Sequence, residues 1–114
     1  MSDCIFCKII AGEIPSNKVY EDELIYAFGD INPQAPVHVL IIPKTHIDSA
    51  NAVTKENSGV VARIFEKMGE IAALVGVKED GYRIINNCGH NGGQTVKHLH
   101  FHLLGGKDLG ETLV

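Results

Sequence analysis

Tryptophan is absent from the 114 residues, aromatic side chains make up only 6% of them, and no apolar run approaches the roughly 18–20 residues needed to span a bilayer. The N-terminal stretch lacks the basic, apolar and small-residue order of a secretory signal, so a cytoplasmic protein with no membrane partner is expected. An excess of positive charge is also missing. Ten Lys and Arg stand against fourteen Asp and Glu, and no basic stretch appears. That balance excludes a nucleic-acid partner held by its phosphate backbone, but it leaves room for a small phosphorylated ligand gripped by a few local donors. Cysteine is scarce. Three residues cannot all pair, and two of them form Cys4-x-x-Cys7, which in a reducing compartment reads as half a metal site or a redox motif before a structural disulfide. Cys88 stands alone and reads as a small packing residue.

What remains is an apolar fraction of 45%, enough for one core. A single domain over residues 1–114 is expected, with residues 107–114 a mobile end. The first dozen residues suggest a short helix capped by Asp3 or Ser2 and ended near Gly12. Residues 19–21 and 24–28 read as a β-hairpin, and residues 37–42 as an apolar strand stopped by Pro43. Asp, Asn and Pro make residues 30–36 a turn. From 54 to 75 the period changes: Val60, Val61, Ile64, Phe65, Met68, Ile71, Ala72 and Val75 recur at three- and four-residue steps, predicting one long amphipathic helix whose stripe is core. Strands at 82–86 and 97–104 flank a glycine-rich loop. Connections this tight favour antiparallel pairing, so the expected fold is α+β: an antiparallel five-stranded sheet, one long helix and a short N-terminal helix.

His98, His100 and His102 alternate along the last predicted strand and therefore share one face, while Leu99, Phe101 and Leu103 share the other. The apolar face suits the long helix, leaving the imidazoles toward an open side. Three rings without partners are costly to bury, so a purely structural role explains them poorly. Two readings stay open. The row is a metal site, or one neutral imidazole is a nucleophile and a protonated neighbour steadies a phosphate and supplies a proton to the leaving group. The preceding Cys-Gly-His-Asn-Gly-Gly-Gln-Thr places glycines and uncharged donors where backbone N–H groups can converge on an anion.

The run His-Leu-His-Phe-His-Leu-Leu, with Asp-Ile-Asn-Pro-Gln-Ala-Pro at 30–36, Ile-Pro-Lys-Thr-His at 42–46 and Gly-Gly-Gln-Thr-Val at 92–96, resembles the histidine-triad superfamily over nearly the whole chain. It is most similar to the branch of small nucleotide-binding proteins that hydrolyse adenosine 5′-phosphoramidates. The resemblance implies His100 as the nucleophile that attacks the α-phosphorus, forming a nucleotidyl-histidine that water cleaves. It implies His102 as the residue contacting phosphate and leaving group, and His98 as the third member of the triad. Asn87, Gly93, Gln94 and Thr95 match positions that cradle the phosphate. Asp30 matches the acceptor of both ribose hydroxyls, and Phe28 and Ile31 match the slot for a purine base. The ligand implied is a purine nucleotide of AMP type, the assembly a homodimer, and no organic cofactor is expected.

Cys4, Cys7, His46 and His98 match the ligands of a structural zinc in zinc-bearing members. By the same resemblance, His102 leans away from relatives that hydrolyse dinucleoside polyphosphates, which usually carry Gln there. A non-catalytic nucleotide sensor and a metallohydrolase using all three histidines are the other classes. The C-terminal end lacks the tryptophan found near the end of well-known relatives, where the tail helps select leaving groups. No role is assigned to His38 or His90.

Overall fold

Apolar residues on adjacent positions of one strand need two covered faces, and that requirement organises this protein. The computed structural model describes residues 3–114. A short helix α1 (Ile5–Ile10) leads into strands β1 (Lys18–Glu21), β2 (Ile25–Gly29) and β3 (Val37–Pro43). The long helix α2 (Ser58–Leu74) follows, and then β4 (Tyr82–Ile85) and β5 (Phe101–Gly105). The sheet runs β1-β2-β3-β5-β4 with every pairing antiparallel, as expected.

In β2 and β3, Ile25, Ala27, Val39 and Ile41 point to one face and join Ile64, Met68, Ile71 and Ala72 of α2, a set at helical spacing. Tyr26, Phe28, Leu40 and Ile42 point to the other face and pack under Phe6 and Ile9 of α1. The sheet is thus sandwiched, which explains why both strands read as continuous apolar runs rather than alternating ones.

Three expectations are corrected. The cap of α1 is Cys4, whose sulfur accepts the backbone N–H of Cys7 at 3.3 Å, and not Asp3; Ser2 lies outside the described residues. The long helix begins at Ser58 rather than near 54. Asn57 turns its side chain back to the Thr54 N–H (2.7 Å) and the Ala52 carbonyl (3.1 Å), which closes a separate turn ahead of the helix. The last strand begins at Phe101 rather than 97, because the backbone ahead of it is satisfied outside any ladder. Leu99 N–H donates to Ile47 (2.6 Å), the Asn86 amide donates to the His100 carbonyl (2.8 Å), and the His98 carbonyl is taken by a histidine ring. At the chain end, Arg83 donates to the Gly110 carbonyl at 2.6 Å.

Candidate active site

The alternation of the histidine run survives although residues 98–100 lie outside the strand. Leu99, Phe101 and Leu103 are buried in the core with α2, and the three imidazoles point to the α1 side. That side is covered, not open: His98 is 0% and His100 only 4% exposed. The Phe6 ring meets both nearly at right angles, with centroids 5.8 Å from His98 and 5.2 Å from His100.

Hydrogen-bond partners fix which nitrogen of each ring is available. His100 Nδ1 lies 2.7 Å from the His98 carbonyl oxygen, which can only accept, so Nδ1 carries the proton and Nε2 keeps the lone pair. His38 Nδ1 accepts the Gln34 backbone N–H at 3.0 Å, so its proton sits on Nε2. That N–H donates to His102 Nδ1 at 2.8 Å, with Asp30 Oδ2 at 3.5 Å as a second acceptor. His102 accordingly holds its proton on Nε2. Burial drives its pKa down to about 4, reinforced by His100 and His38 and opposed by Asp30. Burial lowers the pKa of His38 as well, against the pull of Asp30. The neighbour of His100 is therefore a neutral hydrogen-bond donor and not the protonated ring expected from the sequence.

Sheet register lays the rest of the site out. Leu40 pairs with both Phe28 and His102, so one row runs from imidazole to aromatic ring across two strand spacings, about 10 Å. Along this row lies a cavity of ≈ 280 Å³, with His100, His102 and Thr95 in its wall together with Asp30, Phe28 and Ile31. Ile31 is 87% exposed, an apolar side chain left at the rim. Asp30 also shapes the turn, because its Oδ1 accepts the Asn32 N–H at 2.8 Å. A larger cleft, ≈ 800 Å³, sits between Gly76 and Leu109 and contains no histidine or cysteine.

A second cluster adjoins the first. The ligand atoms of Cys4, Cys7, His46 and His98 all lie within 4.8 Å of one another. His98 Nδ1 is 3.3 Å from Cys4 Sγ, and His46 Nδ1 is 3.4 Å from Cys7 Sγ. The far nitrogens are engaged by an acceptor on each side, the Pro43 carbonyl at 2.9 Å and Asp48 Oδ1 at 2.7 Å. This is the outer-shell pattern that turns an imidazole lone pair toward a metal. Burial also holds the pKa of His98 below its ordinary value, keeping that lone pair free of a proton. Two thiols and two imidazoles so arranged fit a tetrahedral Cys₂His₂ site.

The family model for the HIT domain matches residues 11–109. The chain belongs to the HIT family. A protein named purine nucleoside phosphoramidase from Escherichia coli K12 is 50% identical over 111 residues, covering 97% of this chain and 93% of that one. A HIT family hydrolase from Clostridium thermocellum superposes with a TM-score of 0.97 at 49% identity, covering 100% and 99% of the two chains. A histidine triad protein from Clostridium difficile gives 0.93 at 50% identity, covering 98% and 97%. The chain is a nucleotide hydrolase of the HIT family.

Within this HIT domain, His98, His100, His102, Asp30, Phe28, Ile31 and Thr95 come together. Asn87 and Gln94 brace the glycine loop instead of lining the cavity. The Asn87 amide donates to the Gly92 carbonyl at 2.8 Å; Gln94 donates to Asp48 and Val96 carbonyls and accepts the Gly89 N–H. Gly93 turns that loop at φ +82°, a conformation open to glycine. Sequence reasoning missed His38. A polar residue inside an otherwise apolar strand, on the same face as Leu40, was the available signal.

Proposed function

We propose that this HIT protein hydrolyses purine nucleoside 5′-phosphoramidates through a nucleotidyl intermediate on His100. The observation that carries the reading is the 2.7 Å contact from His100 Nδ1 to the His98 carbonyl, which puts the ring proton on Nδ1 and leaves Nε2 as the nitrogen for attack, on a residue of the cavity wall. The name of the Escherichia coli relative supports the substrate class. Phe28 and Ile31 offer a flat apolar slot for the base, and Asp30, in the same cavity wall, an acceptor for ribose hydroxyls. Thr95 and the loop braced by Asn87, Gly93 and Gln94 offer donors to the phosphate.

The His100 Nε2 lone pair forms a bond to phosphorus as the P–N bond breaks. His102, its proton held on Nε2, donates a hydrogen bond to the departing nitrogen, and the amine leaves with a proton drawn from solvent. Water then breaks the His100–phosphorus bond, and the nucleoside monophosphate departs as a proton returns to solvent. The His98 carbonyl holds the imidazolium of the intermediate throughout.

Cys4, Cys7, His46 and His98 are read as ligands of a structural zinc, which supplies a tie between α1 and the sheet and no reaction chemistry. The homodimer is supported by Phe65, Leu74 and Ile84, large apolar side chains left exposed on α2 and on the edge strand β4. Among the described residues, no helix is long and apolar enough to cross a membrane.

The test is to incubate the protein with an adenosine 5′-phosphoramidate, quench in base and look for acid-labile adenylate, with a dinucleoside polyphosphate run alongside. Adenylate is expected on wild type and absent from His100→Gly. Hydrolysis by His100→Gly at the wild-type rate would refute the nucleophile. One zinc per chain, lost in Cys4→Ser/Cys7→Ser, is the expected metal content.

A further inference from the structure

The thiol cluster and the cavity share a wall. Helix α1 is capped by Cys4 and carries Cys7 in its first turn, while Ile5, Phe6 and Ile9 of the same helix line the cavity. Phe6, between the two cysteines, touches Phe28 at 5.6 Å between centroids as well as His98 and His100. His98 connects the two sites directly, since its ring faces Cys4 Sγ and its carbonyl holds the His100 ring. The cluster is also reachable: a cleft of ≈ 470 Å³ lined by Asp3, Cys4, His46, Asp48 and Lys97 opens beside it. The HIT domain match begins at residue 11, so both cysteines lie outside it.

We propose that Cys4 and Cys7 are a peroxide-responsive thiol switch that sets nucleotide affinity by holding or releasing α1. The proposal rests on the reading of the cavity as a nucleotide site and of the cluster as zinc ligands. A hydroperoxide oxidises the pair by two electrons. The two thiols lose two protons and join in a disulfide, and ROOH is reduced to ROH and water. When the sulfurs are zinc thiolates, solvent supplies the two protons and the ion leaves. A disulfide between Cys4 and Cys7 lies within one turn of α1, so it ties the helix to itself and not to the sheet. The links to His46 and His98 are then gone, and the wall formed by Ile5, Phe6 and Ile9 rests on apolar contacts alone. A short helix has little stability of its own without such anchoring. Reduction and zinc restore the clamp.

The experiment treats the reduced holoprotein with hydrogen peroxide. It follows zinc release with a chromophoric chelator, thiol content, AMP affinity by calorimetry, and hydrogen exchange in residues 5–10. Two thiols and one zinc lost per chain, faster exchange in that segment, and an AMP Kd raised at least about tenfold, all reversed by dithiothreitol plus zinc, is the expected result. Cys88→Ser should respond as wild type. Complete oxidation of Cys4 and Cys7 with both Kd and exchange unchanged would overturn the switch, as would loss of the response in Cys88→Ser. Failure of the supporting readings shows separately. Absence of zinc from the native protein removes the metal but leaves thiol oxidation to be judged by Kd and exchange. Absence of AMP binding by reduced protein removes the nucleotide reading, and exchange in residues 5–10 still decides the switch.

Discussion

His38 donates from Nε2 to Nδ1 of His102 across 2.8 Å, and this contact leaves the proton of His102 on the nitrogen that His38 does not touch. His38 is itself held by the Gln34 N–H, so the orientation of His102 is set two hydrogen bonds away from the cavity. His38→Ala removes the donor and leaves the half-buried His102 Nδ1 without it, a loss worth at most about 1–3 kcal/mol. The expected result is a kcat reduced by about 10–100-fold, with KM changed much less. Nitrogen-15 shifts of His102 should show a mixture of tautomers in the variant and a single one in wild type. Unchanged tautomer populations with a fallen kcat would mean that His38 acts in some other way.

The same burial makes stability depend on acidity. His102 titrates near pH 4 when folded and near 6.5 when unfolded, so between those values the unfolded chain binds the extra proton. The stability contributed by the neutral ring is therefore complete above pH 6.5 and is lost as pH falls toward 4. His38, shifted in the same direction, adds to the slope. One such histidine changes unfolding free energy by at most about 1.4 kcal/mol per pH unit, and His102, reachable by solvent, by less than that. Thermal midpoints measured from pH 7 to 4.5 should fall more steeply in wild type than in His102→Gln. Parallel curves for the two would contradict the assignment.

Asp30, a residue of the cavity wall, has one carboxylate oxygen committed to the Asn32 N–H and the other 3.5 Å from His38 Nε2. If that oxygen accepts ribose hydroxyls, Asp30→Ala should weaken ribonucleotide binding by about 10–100-fold, the range for hydrogen bonds to a charged acceptor. The 2′-deoxynucleotide should be affected less. Competition assays with AMP and 2′-deoxy-AMP on both proteins measure this. An equal loss for the two ligands would assign Asp30 to the turn alone.

The parts of the site readable in the sequence are those encoded by local spacing. Alternation placed Leu99, Phe101 and Leu103 opposite the histidines, and three- and four-residue steps located α2, because each pattern reports a face of one element. Contacts made across elements were not readable. His38 and His102 are 64 residues apart and become diagonal neighbours only through the pairing of β3 with β5. The cover over His98 and His100 comes from a six-residue helix, too short to show a period of its own. The strand forecast at 97–104 ran too early because alternation of side chains persists wherever the backbone is extended, whether or not a ladder forms. The phosphate-loop residues divided for a similar reason. Gln94 and Asn87 have the right chemistry for an anion, and the fold uses it to hold the loop.

That loop offers the last test. Gly92 is packed so that a Cβ would press into the Cys88 carbonyl oxygen and come within 3.1 Å of the Cys88 nitrogen. Both are backbone atoms, which cannot swing aside as the end of a flexible side chain can. Gly92→Ala must therefore open the turn, and with it the Asn87–Gly92 contact and the approach of Thr95 to the cavity. The larger apolar cluster, under α2, lies on the far side of the sheet and keeps its packing, so the loss of stability should stay near 1–2 kcal/mol, in the range of ordinary substitutions. The kcat/KM for an adenosine phosphoramidate should fall at least about tenfold, a change of roughly 1.4 kcal/mol in transition-state stabilisation. Gly59→Ala is the control: it stands in α2, where a Cβ meets nothing within 4 Å, and should leave both quantities near wild type. A Gly92→Ala protein with full activity would show that the loop does not need its present shape to hold the phosphate.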